Sequence, residues 1–275
     1  VVDRGAHPDP AVRSVVGELT EPGVIADALA GGDVAGVVHL AAITSVLRSV
    51  EHPAATYQAN VAVTQDLLEG CRHAGVGRFI MASTNAVVGD VGHATIDEAV
   101  PPRPLTPYGA PKAAGEMLLC GYAGAYGMAT CALRFTNLYG PGMGRKDSIV
   151  PRMMRAALDG RGVQIYGDGR QRRDFVHVDD AVAAVLAAWD RRCTGTVIIG
   201  SGRSVTVLEL LDAVRTVTGR ALPAEHVAAK PGEMPAVIVD ISRAREWLGY
   251  RPSVSLLAGL AAVWKDFTGA GGPER

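Results

Sequence analysis

The chain has 275 residues, 48% of them hydrophobic and 20% charged, which excludes a disordered chain and suits one large domain or two unequal ones. Its formal net charge is -1, so no overall basic field points to nucleic acid. No apolar run is long enough to span a membrane, and Val1-Val2-Asp3-Arg4 lacks the regions of a signal peptide. Cys71, Cys120, Cys131 and Cys193 form no C-x-x-C pair and read as reduced thiols of a cytoplasmic protein. The histidines show no metal-ligand spacing, so no metal site is expected, and His39 reads as a core or strand-end histidine.

Taken in order, Val1-Val2-Asp3 reads as the end of a buried strand closing in an acid. In a dinucleotide-binding unit such an acid accepts hydrogen bonds from the adenosine ribose; alone, it fits a turn residue equally well. Pro22–Ala30 predicts a short helix with Thr20 or Glu21 near its start. Val34–Leu40 predicts a parallel strand buried on both faces, ending in the small pair Ala41-Ala42. Pro53–Ala74 predicts a long helix stopped by Gly75, and Arg78–Ser83 a strand leading into Thr84. This alternation predicts βαβ units and a parallel sheet, with ligands beyond the carboxyl ends of the strands. Pro107–Tyr126 predicts a helix that tolerates Pro107 and Pro111 in its first turn, and Met128–Phe135 a strand. Thr136–Asp147 reads as a glycine- and proline-punctuated loop. Further on, Val163–Tyr166, Asp174–Val176, Thr196–Ile199 and Val237–Asp240 read as extended pieces. Asp179 or Asp180 caps a helix running to Trp189, and Val205–Thr218 and Leu256–Phe267 read as amphipathic helices before a polar tail.

Tyr108 and Lys112 lie four residues apart, so on a helix both side chains share one face. A free phenol titrates at about 10. A nearby ammonium favours the phenolate and lowers that value, giving a base that works near neutral pH. Thr84 offers a hydroxyl to the same reacting oxygen. Alone, Y-x-x-x-K also fits a helix-start tyrosine packed on a lysine stem.

The context of that pair is a set of motifs in one order. They are V-V-D-R from Val1, V-V-H-L-A-A from Val37, S-T-N-A-V-V-G from Ser83 and Y-G-A-P-K from Tyr108. L-R-F-T-N-L-Y-G-P follows from Leu133, I-Y-G-D-G-R-Q-R-R-D-F-V-H-V-D-D from Ile165 and K-P-G-E from Lys230. Together the chain resembles the extended short-chain dehydrogenase/reductases, the NAD-dependent sugar-nucleotide epimerase/dehydratase group. The resemblance implies an α/β fold: a Rossmann-like doubly wound parallel sheet over residues 1–147, carrying NAD and the catalytic residues, and a smaller C-terminal α/β substrate-binding region over 148–275 with segments returning to the main sheet. It implies that Asp3 binds the adenosine ribose, Glu18 and Leu19 flank the adenine, Ala41 and Ala42 line the dinucleotide, Asn60 lies near the active site and Phe135 near the nicotinamide. It makes Thr84, Tyr108 and Lys112 the catalytic residues, with Tyr108 and Lys112 also on the cofactor. Asn137, Arg173 and Lys230 would meet the substrate diphosphate and Glu233 its nucleotide ribose. It also implies a homodimer through the Tyr108 helix and its neighbour.

The chain departs from the family's pattern in places. The family's glycine-rich turn and first strand do not occur, so the expectation is that the natural protein extends upstream or that this version binds NAD poorly. Val88 replaces a common tyrosine, and Lys230 a frequent arginine, exchanging a bidentate contact for a point charge. After Thr84 the family's 4,6-dehydratases carry Asp-Glu and its decarboxylases place Glu at the Ala86 position, whereas Asn85-Ala86 here cannot exchange protons that way. The pattern that remains resembles a 4-epimerase acting on a nucleotide-linked hexose or hexuronate, most often UDP-linked in the family. A reductase or dehydrogenase of the same fold, and a non-catalytic NAD-binding module, are the alternatives.

Overall fold

The computed structural model describes residues 1–229 and 234–269. In chain order the strands are β1 (Val2–Asp3), β2 (Val15–Val16), β3 (Val37–His39), β4 (Arg78–Thr84), β5 (Thr95–Ile96), β6 (Ala129–Phe135), β7 (Asn137–Tyr139), β8 (Val163–Tyr166), β9 (Arg172–His177), β10 (Gly195–Ile199), β11 (Ser204–Thr206), β12 (Ala224–Val227) and β13 (Ile238–Val239). The helices are α1 (Val24–Leu29), α2 (Val46–Glu51), α3 (Pro53–Tyr57), α4 (Val63–His73), α5 (Gly109–Tyr126), α6 (Ile149–Asp159), α7 (Val178–Asp190), α8 (Val207–Thr218), α9 (Ser242–Leu248) and α10 (Leu256–Phe267). The chain divides into two compact units. One comprises Val1–Val87, Pro102–Leu133 and Ala188–Thr196, and the other Val88–Pro101, Arg134–Ala187 and Val197–Arg275. The strands β10, β6, β4 and β3 lie side by side in that order, and β3 runs parallel to β4 with His39 opposite Met81.

In the first unit, α4 and α5 bury Leu67, Leu68, Cys71 and Leu119 against Phe79 and Met81 of β4. β3 is not buried on both faces as its apolar run suggests. It is the edge of its sheet, and Val38 stays open while His39 is buried. β1 is likewise open, with Val2 half-buried and Asp3 exposed, because it pairs with β2 in a separate two-stranded sheet. The long helix expected over 53–74 is present but not uniform. A π-helical turn, Gln58–Ala62, joins α3 to α4. α2 was outside the expectations, although Ser45 caps it by accepting a hydrogen bond from the Arg48 N–H.

In the second unit, α6, α8 and α10 pack Met154, Leu210, Leu211, Leu260 and Val263 into one core with Ile165 and Phe175. β9 pairs parallel with β7 and antiparallel with β11. The loop expected over Thr136–Asp147 therefore contains a strand, and α8 starts two residues later than expected because Ser204–Thr206 pairs first. Thr206 and Glu209 form a reciprocal capping box on α8. Asp179 and Asp180 lie inside the first turn of α7, one residue past its start. The Asp180 carboxylate instead accepts hydrogen bonds from the Ser253 N–H and hydroxyl and the Val254 N–H, fixing the chain ahead of α10.

Candidate active site

Thr84 ends β4, and the chain turns at once through a 3-10 segment, Asn85–Val87. The Thr84 hydroxyl accepts a hydrogen bond from the Ala86 N–H at 3.2 Å, which fixes the turn. The Val87 carbonyl accepts another from the Arg103 N–H at 2.9 Å. Regular α5 geometry begins at Gly109, but the first turn is closed earlier. The Thr106 hydroxyl accepts from the Gly109 N–H and its carbonyl from the Ala110 N–H, both at 3.1 Å. Thr106 thus works as the cap and Pro107 occupies the position that needs no N–H donor, while Pro111 follows Ala110, the first donor of the helical ladder, so its missing N–H costs one bond at the helix start. Tyr108 sits in this turn, one helical turn before Lys112. A Cβ on Gly109 would lie 2.6 Å from the Ala86 carbonyl oxygen, so glycine lets the helix start rest directly on the turn after Thr84.

The side chains of Tyr108 and Thr84 are close enough to act on each other. Burial pushes the Tyr108 phenol above its ordinary value, and Thr84 acts in the opposite direction. Lys112 is 3% exposed; burial lowers its amine to about 8, and its Nζ donates to the Ala82 carbonyl at 2.7 Å. The spacing of Tyr108 and Lys112 leads one to expect the lysine to draw the phenol down. In this geometry burial and Thr84 govern the phenol, while the ammonium is engaged with the end of β4.

The surroundings are polar and buried. Ser83 donates to the Glu116 carboxylate, tying the end of β4 to α5. The Thr64 hydroxyl donates to the Asn60 carbonyl and meets His39 Nε2 at 3.2 Å. With its single proton committed to Asn60, Thr64 can only accept from His39, so Nε2 carries the imidazole proton. Burial, and secondarily the Lys112 charge, lower His39 to about 4. The amide of Asn60, within the π-helical turn, accepts from the Ile43 N–H at 2.8 Å and donates to the Ile43 carbonyl at 2.9 Å. It therefore braces the segment following β3, where Ala41 is exposed and Ala42 half-buried.

The remaining residues singled out in the sequence lie as follows. Asp3 closes β1 and accepts from the Arg4 N–H at 2.6 Å. Glu18 pairs with Arg4, also at 2.6 Å, on the surface. Leu19 packs against the core of the first unit. In the second unit, Phe135 ends β6 half-buried. The Asn137 amide donates to the Asp174 carbonyl at 2.9 Å. Arg173 lies on β9 opposite Val205, and its guanidinium donates to the Arg172 carbonyl at 2.8 Å. Lys230 and Glu233 lie outside the described residues. Thr84, Tyr108, Lys112 and Asn60 thus belong to the first unit, and Asn137 and Arg173 to the second. The second unit also holds a cavity of about 380 Å³ lined by Arg152, Val163, Gln164, Tyr166 and Gln171, which the sequence did not single out. Among the described residues no group of His, Cys, Asp and Glu is placed to hold a metal, and no helix is long and apolar enough to cross a membrane.

Residues 1–200 match the NAD dependent epimerase/dehydratase family. The chain belongs to that family. Its cofactor is NAD, and the epimerase/dehydratase chains are enzymes of the extended short-chain dehydrogenase/reductase type. This family member is 35% identical over 246 residues to the UDP-glucose 4-epimerase of Streptomyces lividans, covering 84% of this chain and 74% of the relative. It is also 35% identical over 258 residues to a dTDP-glucose 4,6-dehydratase of Streptomyces griseus, covering 92% of this chain and 78% of the relative. Among solved structures, the UDP-glucose 4-epimerase of Thermotoga maritima with UDP-glucose superposes with a TM-score of 0.90 at 30% identity, covering 98% of this chain and 90% of the other.

Proposed function

We propose that this epimerase/dehydratase-family enzyme inverts C4 of a UDP-linked hexose or hexuronate through a transient 4-keto sugar. The observation that carries the reading is Tyr108 next to Thr84, with buried Lys112 one helical turn on and bonded to the end of β4, followed by a turn whose residues, Asn85 and Ala86, exchange no protons. The residues present fit NAD. Exposed Asp3 at the carboxyl end of β1 offers the acceptors that a ribose diol needs, and the small pair Ala41-Ala42 follows β3 on a segment that Asn60 holds in place. In this reading Asp3, Ala41, Ala42 and Lys112 hold the cofactor, with Glu18 and Leu19 at its adenine end and Phe135 near the nicotinamide. Bound NAD supplies the two-electron acceptor and donor for C4.

Tyr108 takes the proton of the C4 hydroxyl and returns it to the 4-keto oxygen after the sugar has turned over; burial opposes the phenolate this needs, and Thr84 favours it. Thr84 orients that hydroxyl beside Tyr108. Lys112 places a cation at the end of β4. In this reading Asn137, Arg173 and Lys230 meet the nucleotide diphosphate, Glu233 holds its ribose, and the cavity beside Gln164 and Tyr166 suits its base. Binding energy from the nucleotide holds the substrate while the sugar stays free to rotate.

The reading includes a homodimer: Met117, Tyr122 and Tyr126 line an apolar groove on α5, and Met117 and Tyr126 are exposed. It also includes a cytoplasmic setting, which four cysteines without a disulfide suit. Dehydratase chemistry is the second reading, favoured by the Streptomyces griseus relative; it requires an ionisable acid and base where Asn85 and Ala86 stand. Tyr108→Phe tests the assignment. Turnover should fall by about 10²- to 10⁴-fold, while calorimetric affinity for UDP-hexose stays close to wild type. Near-normal turnover of the variant would exclude Tyr108 as the acid–base residue.

A further inference from the structure

β3 pairs with β4 only as far as Met81, which lies opposite His39, while β4 runs on to Thr84. On that side the tip Ala82-Ser83-Thr84 extends beyond the ladder. α5 supplies ties to it instead. The Ala82 carbonyl accepts from Lys112 Nζ at 2.7 Å, the Ser83 hydroxyl donates to Glu116 Oε1 at 2.5 Å, and Thr84 lies beside Tyr108. Tyr108, Lys112 and Glu116 are spaced four residues apart, so one face of the helix and its first turn meets three successive residues of the strand. The helix is seated closely here: a Cβ on Gly115 would stand 2.9 Å from Met81 Sδ. Ser83 is buried, and Glu116 is 1% exposed. A carboxylate so deeply buried weakens a fold unless donors compensate it. The donor it takes from β4 is the hydroxyl next in sequence to Thr84.

We infer that Glu116, acting through Ser83, is a positioning residue that holds the Thr84 hydroxyl against Tyr108, an inference that rests on the reading of Tyr108 as the acid–base residue. The Lys112 bond holds the backbone at Ala82, two residues short of Thr84, whereas the Glu116 bond acts one residue away. Thr84 favours the phenolate where burial opposes it, so a Thr84 that drifts from Tyr108 leaves the phenol to burial.

The test uses the full chain with NAD and UDP-glucose. Ser83→Ala removes one hydroxyl and changes no charge. It leaves in place Lys112, Glu116 and His39, the titratable groups around the tip of β4, so a moved titration reports position. Per folded molecule, kcat should fall by about ten- to a hundredfold with KM for UDP-glucose close to wild type. The acid limb of the kcat–pH profile should move to higher pH, because Tyr108 then becomes a phenolate less readily. Glu116→Ala should do the same, and Glu116→Gln, which keeps an acceptor for Ser83, should recover most of the loss. A loss of stability in urea unfolding, with kcat per folded molecule and the pH profile unmoved, would overturn the inference and leave the bond a purely structural one. If wild type inverts no sugar, or Tyr108→Phe turns over normally, the acid–base reading fails by itself. The ultraviolet titration of the Tyr108 phenol, taken as the difference from Tyr108→Phe, then decides the role of Glu116 alone: a titration raised by Ser83→Ala supports it, and an unmoved one refutes it.

Discussion

Gly109→Ala places a single methyl group where the account has no room for one. Its Cβ would stand 2.6 Å from the Ala86 carbonyl oxygen and 3.1 Å from Pro104 Cβ, so backbone must move by at least about 0.4 Å. The partner is a carbonyl in a turn already tied to Thr84 and Arg103, and it cannot swing aside as a long side chain would. Two energies compete in stability. Overpacking costs about 1–3 kcal/mol, and exchanging glycine for alanine in a helix returns about 1 kcal/mol. The net loss is about 0–2 kcal/mol, which leaves the protein folded at room temperature. The displaced element carries Tyr108, however, and the turn that pushes it carries Thr84. A sub-ångström misplacement of this pair should cost on the order of 10²-fold in kcat. Sugar epimerisation followed by proton NMR gives kcat, and urea unfolding gives stability. A variant that keeps wild-type kcat, or that loses activity only in step with its folded fraction, would refute the view that Gly109 sets the Thr84–Tyr108 contact.

The other predictions concern residues around and beyond this pair. His39 titrates at about 4 in the fold against 6.5 in an unfolded chain, so its contribution is complete above 6.5 and is lost as pH falls toward 4. Wild type should lose on the order of 2–3 kcal/mol more than His39→Gln between about pH 7 and pH 4.5, glutamine keeping the donor to Thr64; equal pH slopes in urea unfolding would contradict this. Asp174 is fully buried and accepts hydrogen bonds from the Thr136 and Ser201 hydroxyls and the Ser201 and Arg203 N–H groups. Asp174→Ala should therefore cost about 3 kcal/mol or more, read as a fall in the denaturation midpoint, and a loss under about 1 kcal/mol would show that these donors find other partners. Leu68→Ala, in the fully buried core of the first unit, should cost about 2–5 kcal/mol with kcat per folded molecule unchanged.

What the sequence makes legible here follows from length and period. α10 has the span its apolar repeat predicts, and the β4–α5–β6 succession stands within a residue or two of its expected limits. Two- and three-residue strands such as β5, β7 and β11 carry no period of their own and are defined by partners far along the chain. The open face of β3 could not be read from its composition, because burial on both faces requires a layer packed over each. The π-helical turn at Gln58–Ala62 leaves the apolar repeat almost undisturbed; its trace in the sequence is Asn60, whose amide bonds to Ile43. At the site, spacing alone set Tyr108 and Lys112 one turn apart. Spacing could not say that burial raises the phenol, or that the lysine ammonium bonds to Ala82, since both depend on how α5 seats against β4.

The most direct measurement follows the hydrogen at C4. UDP-glucose carrying deuterium at C4 would be incubated with the enzyme and NAD, and the products read by proton and deuterium NMR. The account predicts UDP-galactose with deuterium retained at C4, a primary isotope effect on turnover and no net NADH. Deuterium appearing in free NADH, or a 4-keto-6-deoxy sugar as product, would contradict it and assign the site to dehydrogenation or dehydration.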